Sequence, residues 1–69
     1  MEKAQELKLR GETYRVGDEV VFYDENFGGR FVGEIVRFNV DQSGEIIYAW
    51  IRSVKYPEPQ RYSTYDIIR

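Results

Sequence analysis

Residues 30–56 read RFVGEIVRFNVDQSGEIIYAWIRSVKY, and this stretch decides the fold. Its two halves are rich in β-branched and aromatic side chains, which favour strands. Between the halves lies DQSG, a four-residue sequence typical of hairpin turns, in which Gly44 suits the left-handed backbone position. The stretch therefore predicts a long antiparallel hairpin at the centre of the domain.

The turn sets a register for this hairpin, with Val40 opposite Glu45. One face would then be largely apolar and would pair Phe38 with Ile47, Val36 with Ala49 and Glu34 with Ile51. The other face would mix rings with guanidinium groups and would pair Arg37 with Tyr48, Ile35 with Trp50 and Gly33 with Arg52. Such a mixed face suits a half-exposed surface, so we expect Trp50 outside the core, although a bulge would exchange some positions.

Shorter strands are predicted on both sides of the central hairpin. The segments LKL and YRV around the turn RGET predict a short N-terminal hairpin, and DEVVFYDE predicts a further strand. The loop ENFGGR joins that strand to the central hairpin, which ends before Pro57 and Pro59 because proline cannot donate to a ladder. STYD then has the composition of a 3₁₀ turn, and IIR predicts a last short strand.

This order of elements predicts an all-β domain. About five short strands, separated by Gly, Pro and Asx turns, favour a small, strongly bent antiparallel barrel. An OB-type barrel is the alternative, but it usually needs a longer chain and a helix between strands. We expect residues 1–6 to form a polar tail and residues 7–69 to form a single barrel domain.

The composition limits the chemistry open to the chain. Its 69 residues include no cysteine and no histidine, so a disulfide and the usual transition-metal ligands are excluded. The carboxylates also lack the spacing of an EF-hand loop. A barrel of this size offers no deep cleft in which to shift the pKa of a carboxylate or lysine, so we predict a non-enzymatic protein with no metal or cofactor.

The charge pattern bears on partners and location. The net charge is −2, with four Lys and Arg against seven Asp and Glu in residues 1–29, and six against five in residues 30–69. Neither half has the basic excess of a non-specific nucleic-acid binder. No apolar run approaches the ~20 residues that cross a bilayer, and no secretion signal opens the chain. We therefore expect an intracellular protein, cytoplasmic or nuclear, without a membrane partner.

Two stretches resemble a known family. LKLRGETYRVGDEVVFYDE is similar to the opening of a bromo-adjacent homology (BAH) domain, in which an apolar strand, a Gly-containing turn, an aromatic residue and VGD.V lead into the barrel. FVGEIVRFNVDQSGEIIYAWIRSVKYPE resembles the second half of that family, with a strand rich in Trp and Arg and an aromatic residue before Pro-Glu. Tudor, Agenet and other SH3-like barrels share parts of this pattern. The resemblance implies a five-stranded SH3-like barrel.

The resemblance also implies a function as a reader module, in which aromatic side chains at one barrel mouth hold methylated lysine or arginine, or a peptide. The predicted ligand site consists of Tyr23, Phe27, Trp50 and Tyr56, together with Tyr48 on the mixed face. Carboxylates that could form an electrostatic rim around a bound cation are those of Asp24, Glu25 and Asp66. We therefore predict a non-catalytic module that binds a peptide or protein segment.

Structural roles compete with some of these assignments. Trp50 could instead fill the barrel, and Tyr62 and Tyr65 are best explained as a lid whose hydroxyls lie at the rim. Phe27 is the better functional candidate, because a large ring in a Gly-rich loop buries itself poorly.

Two further functions stay open. Arg37 and Arg52 could contact nucleic acid beside the aromatic side chains, although the acidic pI disfavours this and the arginines could instead pair with Glu34 and Glu45. The chain could also be a small structural subunit, of phage or mobile-element type, that self-associates through the mixed face.

Overall fold

Six antiparallel strands and one 3₁₀ turn make up residues 6–69, the part of the chain that the computed structural model describes. The strands are β1 (Glu6–Leu9), β2 (Glu12–Arg15), β3 (Glu19–Asp24), β4 (Gly29–Val40), β5 (Ile46–Arg52) and β6 (Gln60–Ser63), and the 3₁₀ turn is Thr64–Asp66. The predicted all-β class is confirmed: residues 6–69 form two antiparallel sheets and contain no α-helix. The predicted polar tail lies outside the described residues, except for Glu6, which belongs to β1.

β1 and β2 form a two-stranded hairpin, as the turn RGET predicts. Its two loop residues, Arg10 and Gly11, have φ angles of 51° and 80°. Positive φ at both positions is the type I′ geometry that matches the twist of a hairpin. Leu7 and Tyr14 lie opposite each other and are both buried, so one face of this hairpin packs on the core.

Aspartate side chains hold two other turns, of which the one at DQSG was predicted. Gly44 has a φ of 90°, and the Asp41 carboxylate accepts hydrogen bonds from the backbone N–H groups of Ser43 and Glu45. The Asp18 carboxylate accepts a hydrogen bond of 2.8 Å from the Arg15 N–H. Local side-chain hydrogen bonds therefore fix both turns.

Strands β3 to β6 form the second sheet, in the order β3-β4-β5-β6. β4 is 12 residues long and serves two neighbours, since residues 29–34 pair with β3 and residues 34–40 pair with β5. Gly33 lies where these two ladders meet. A Cβ atom on Gly33 would come within 2.6 Å of the Ile51 side chain and 2.7 Å of the Arg52 carbonyl oxygen, so only glycine fits there.

The β4–β5 pairing differs from the predicted register. Phe38 lies opposite Ala49 rather than Ile47, and the register shifts between Ile35 and Arg37, where Val36 is the extra residue of a bulge. A bulge reverses the alternation of side chains that follow it. Counted back from the DQSG turn, Ile35 lies beyond this bulge. Its side chain therefore faces the core and is fully buried, although the predicted register placed it on the mixed face.

The core is correspondingly different from the predicted one. Phe38 and Ala49 are buried as predicted, but Val36 is only half-buried and its assignment to the core is wrong. A second register shift, after Asn39, leaves Ile47 exposed as well. The buried hydrophobic side chains form one cluster, which comprises Leu7, Tyr14, Val20, Phe22, Ile35, Phe38, Ala49, Ile51 and Ile67.

The last residues of the chain return to β3. The Val21 N–H donates to the Arg69 carbonyl oxygen, and the Ile68 N–H donates to the Val21 carbonyl oxygen, both at 2.7 Å. The predicted 3₁₀ turn is confirmed, and it leads from β6, at one edge of the sheet, to β3 at the other. The predicted last strand forms only an isolated bridge, between Phe22 and Ile67.

Of the two tyrosines that were predicted to form a lid, only Tyr62 packs against the core. Tyr62 is partly buried, and its ring centroid lies 4.6 Å from that of Phe22. Tyr65 is 77% exposed, because it lies on the outer side of the 3₁₀ turn, and its assignment as a lid is wrong.

Candidate functional site

A buried carboxylate lies at the end of β3. Asp24 is 2% exposed, and its Oδ2 atom accepts hydrogen bonds from the hydroxyls of Tyr62, at 2.7 Å, and Tyr56, at 3.0 Å. Its Oδ1 atom accepts a bond of 2.9 Å from the Asn26 N–H. Asp24 was predicted as part of an exposed rim, but the structure places it beneath the surface, where its oxygens are already occupied.

These contacts keep the carboxylate charged. Burial alone raises the pKa of Asp24, but the hydrogen bonds from Tyr62, Tyr56 and the backbone outweigh it and lower that pKa below its ordinary value. Burial and the hydrogen bond to Asp24 raise the pKa of Tyr62, so its hydroxyl stays protonated and remains the donor. A fixed negative charge therefore lies under this part of the surface at neutral pH.

Three rings cover this region, and we call them the Phe27 cluster: Phe27, Phe31 and Tyr56. The Phe27 centroid lies 5.7 Å from that of Phe31 and 5.6 Å from that of Tyr56, with interplanar angles of 76° and 66°. These are favourable edge-to-face arrangements. Phe27 is 52% exposed, as the sequence predicts for its Gly-rich loop, so the cluster is open to solvent.

A lysine of the same chain occupies the faces of two of these rings. The Nζ atom of Lys55 lies 4.6 Å from the Phe31 centroid and 5.7 Å from the Phe27 centroid. Both distances are within the ~6 Å at which a ring face attracts a cation. The Phe27 cluster therefore has the geometry to hold a positive charge.

A second group of rings and cations lies on β4, β5 and β6, and we call it the arginine–aromatic stripe: Arg37, Trp50, Arg61 and Tyr48. The Arg37 guanidinium carbon lies 4.4 Å from the Trp50 ring centroid, and that of Arg61 lies 4.5 Å from the Tyr48 centroid. The Trp50 indole N–H also donates to the Asn39 side-chain oxygen. Trp50 is half-buried outside the core, as predicted.

The predicted ligand site is thus divided between different places. Phe27 and Tyr56 lie together, whereas Trp50 and Tyr48 belong to the stripe. Tyr23 joins neither group: it is 42% exposed and projects from the face of β3 opposite to Phe22 and Asp24.

Sequence reasoning missed Phe31 and Lys55. The signal for Phe31 was its place four residues after Phe27 across a tight turn, in which the Gly28 N–H bonds the Asp24 carbonyl oxygen. The signal for Lys55 was a cation immediately before Tyr56. Of the other two predicted rim residues, Glu25 is exposed in the same turn as Phe27, and Asp66 is half-buried in the 3₁₀ turn.

The arginines do not form the cross-strand ion pairs that the sequence suggested. Within residues 6–69 the one ion pair joins Arg15 to Glu6, at 2.8 Å. Arg52 does lie opposite Glu34, but their charged groups form no ion pair. The guanidinium groups of Arg37 and Arg61 lie over rings instead.

A wide groove of about 800 Å³ separates β1 from β5 and the 3₁₀ turn. Leu9, Ile46 and Tyr65 are among its lining residues, and the charged side chains among the described lining residues are those of Glu6, Lys8 and Glu45. Tyr48 of the stripe also lines this groove, but no cation–ring pair within residues 6–69 involves these charged groups.

The described residues contain no cluster of three or more potential metal ligands. Residues 6–69 also contain no helix that is long and apolar enough to span a membrane. In comparisons with known proteins, the chain matched no family model, and neither the curated proteins nor the solved structures included a significant match.

Proposed function

We propose that this chain is a non-catalytic binding module whose Phe27 cluster receives a cationic side chain of a peptide, with methylated lysine or arginine as the preferred form. The observation that carries the proposal is the position of the Lys55 ammonium on the faces of Phe27 and Phe31. A site that attracts a tethered cation of its own chain has the electrostatics to attract one from a partner.

We also propose that the fold is an SH3-like barrel related to the BAH and Tudor type of reader module. The support is the four-stranded antiparallel sheet together with the hydrogen bonds that join the C-terminal residues to Val21 of β3. In such a barrel one mouth would be formed by the β3–β4 turn, which carries Phe27, and the segment after β5, which carries Tyr56; the contact between these two rings supports this.

The chemistry of Asp24 favours higher methylation states. Its charge strengthens the attraction for a cation, but its oxygens accept bonds from Tyr62, Tyr56 and Asn26 and are shielded from solvent. It therefore offers no free acceptor to the N–H groups of an unmodified or monomethylated lysine. A trimethylated ammonium needs no acceptor and is less costly to remove from water, so it fits these rings best.

The expected affinity is modest. Each cation–ring contact contributes ~0.5–1 kcal/mol at an exposed site and about 2 kcal/mol when water is excluded. A ligand must also displace Lys55 from the same ring faces. Contacts between the peptide backbone and the surface around Glu25 and Pro57 would add to this, so we expect a short peptide to bind with micromolar to millimolar affinity.

The test is an NMR titration with three peptides that differ at one side chain: trimethyllysine, unmodified lysine, and the neutral isostere of trimethyllysine with a tert-butyl group. The trimethyllysine peptide should shift the resonances of Phe27, Phe31 and Tyr56 at the lowest concentration. Phe27→Ala should abolish this binding, whereas Tyr23→Ala, which removes an exposed ring outside the cluster, should leave it unchanged. Equal binding of the neutral isostere, or shifts confined to other residues, would refute the proposal.

A further inference from the structure

The arginine–aromatic stripe has a continuous arrangement across three strands. Trp50 of β5 and Arg61 of β6 are direct cross-strand partners, and Arg37 on β4 stacks over Trp50 from the other side. Arg61 in turn stacks over Tyr48. Cations and rings therefore alternate across the sheet, and Arg37 and Arg61, two strands apart, are separated by roughly 10 Å at the backbone.

The positive charges of the two guanidinium groups are not neutralised by an ion pair within residues 6–69. Among residues 6–69, neither Arg37 nor Arg61 has a carboxylate within ion-pair distance. Stacking uses the flat face of a guanidinium group and leaves its in-plane N–H donors free. Each arginine can thus bind an anion at its edge while its stacked ring holds it in place.

We propose that the stripe binds single-stranded nucleic acid. Phosphates would accept hydrogen bonds from the edges of Arg37 and Arg61, and unstacked bases would lie against the exposed guanidinium groups and the half-buried rings. An acidic peptide supplies anions for the arginines but has no aromatic bases to stack, so it would use the charges of this surface and not its rings. The proposal is independent of the Phe27 cluster, because no ring pair or cation–ring contact joins the two regions.

The surroundings limit the strength of this site. Glu58 and Pro59 line the depression next to Trp50 and Arg37. The negative charge of the Glu58 carboxylate would repel a phosphate that binds in this depression. The chain as a whole carries a net charge of −2. Binding should therefore be weak and sensitive to salt, with a slope of about −1.4 in a plot of log K against log salt if two phosphates are contacted.

The test is a fluorescence-anisotropy titration of the whole chain with a labelled short oligouridylate at several salt concentrations. The double variant Arg37→Lys, Arg61→Lys keeps both charges but loses both planes, and it should bind about tenfold more weakly. Arg30→Lys makes the same change at an exposed arginine on the β3–β4 side of the sheet and should have no effect. Glu58→Gln should tighten binding two- to threefold, because it removes the opposing charge.

Three results would each overturn the proposal: no binding at low salt, unchanged binding by the double lysine variant, or equally tight binding of a polyglutamate peptide of matched charge. The last result would assign the stripe to acidic peptides. Circular dichroism and thermal unfolding of each variant establish that it is folded. Phe27→Ala should leave oligouridylate binding unaffected, so the failure of one site is distinguishable from the failure of the other.

Discussion

The Phe27 cluster and the arginine–aromatic stripe both combine rings with cations, yet the ligands that we propose for them have opposite charge. In the cluster, the rings lie over the ionised, buried Asp24, and the cation on them is the side chain of Lys55. In the stripe, Arg37 and Arg61 lie on rings with no carboxylate partner among the described residues. The charge fixed behind or beside the rings, and not the rings themselves, sets the sign of the preferred ligand.

The two regions also differ in how firmly they are built into the fold. Asp24 ties the cluster to the core through Tyr62, whose ring packs on Phe22. The stripe rests on the outer face of the sheet and contributes no side chain to the buried cluster. Substitutions in the cluster should therefore change stability and binding together, whereas substitutions in the stripe should change mainly binding.

The largest expected effect tests this difference directly. Asp24→Ala removes the acceptor of two tyrosine hydroxyls and one backbone N–H, and we expect it to lower the free energy of unfolding by about 2–4 kcal/mol. Arg37→Ala removes one exposed cation–ring contact and should cost about 0.5–1 kcal/mol. Urea unfolding of the two variants measures both values. Equal losses would mean that the stripe is as much a part of the structural core as the cluster.

Gly33 allows a test of the sheet that carries both regions, at the point where the β3–β4 and β4–β5 ladders meet. Gly33→Ala would force a Cβ against the Ile51 side chain and the Arg52 carbonyl oxygen, and we expect a loss of about 1–3 kcal/mol. The matched control is Gly29→Ala, whose Cβ would meet only the Phe31 ring, at 3.8 Å. Thermal unfolding should show a clear decrease for the first variant and little change for the second. A tolerated Gly33→Ala would mean that β4 and β5 separate easily here.

The pH dependence of stability should report on Asp24 specifically. Because its pKa is lower in the folded state, its contribution is present above its unfolded pKa of about 3.9 and is lost as the pH falls through the folded pKa. Hydrogen bonds from Ser43 and Glu45 also lower the pKa of Asp41. The pH dependence of the wild type therefore contains contributions from both aspartates, and a variant is needed to separate them. The urea midpoint should fall less steeply below pH 4 for Asp24→Asn than for the wild type. If the urea midpoints of the variant and the wild type fall equally with pH, the pKa of Asp24 is not lowered in the folded state.

A smaller effect concerns the occupied ring faces of the cluster. Lys55→Ala removes the competing cation and should tighten trimethyllysine-peptide binding roughly two- to fivefold, which corresponds to ~0.5–1 kcal/mol. Lys8→Ala, at an exposed lysine of β1, is the matched control for the change in net charge. NMR titration gives both dissociation constants. If the two variants bind alike, Lys55 does not compete for the site.

The smallest expected effect is in the stripe. Trp50→Phe keeps a ring beneath Arg37 but removes the indole N–H that bonds Asn39, and it should change stability by less than about 1 kcal/mol. Thermal unfolding measures this change. A much larger loss would show that Trp50 supports the core rather than the surface.

The sequence was sufficient for features that depend on neighbouring residues. The turn at RGET and the left-handed Gly44 follow from the local steric freedom of glycine. The positive φ of Arg10 does not, because non-glycine residues seldom adopt it. β6, which follows the two prolines, was not predicted. The order of β1 to β5 along the chain and the exposed position of Phe27 did follow from composition and glycine content. Each of these required information from only a few adjacent positions.

Features that depend on distant parts of the chain were not predictable in the same way. The bulge at Val36 lies two residues beyond Glu34, at which β4 pairs with both β3 and β5, and it places Ile35 in the core. The burial of Asp24 depends on hydroxyls 32 and 38 residues away, so an aspartate that appeared solvent-exposed became the centre of a hydrogen-bond network. No local pattern marks either partner.

The separation between Asp24 and its tyrosine partners also has a consequence for the order of assembly. Loops of this length must close before either hydroxyl can reach the carboxylate, whereas Arg37 and Trp50 belong to one hairpin and can meet early. A folding intermediate that lacks β6 could therefore already hold Arg37 on Trp50, but it would lack both Arg61 of the stripe and the Tyr62 hydroxyl that bonds Asp24 beneath the cluster. On the proposed function, the full affinity for a cationic peptide would be reached only when Tyr56 and Tyr62 both hold the Asp24 carboxylate in place beneath the rings.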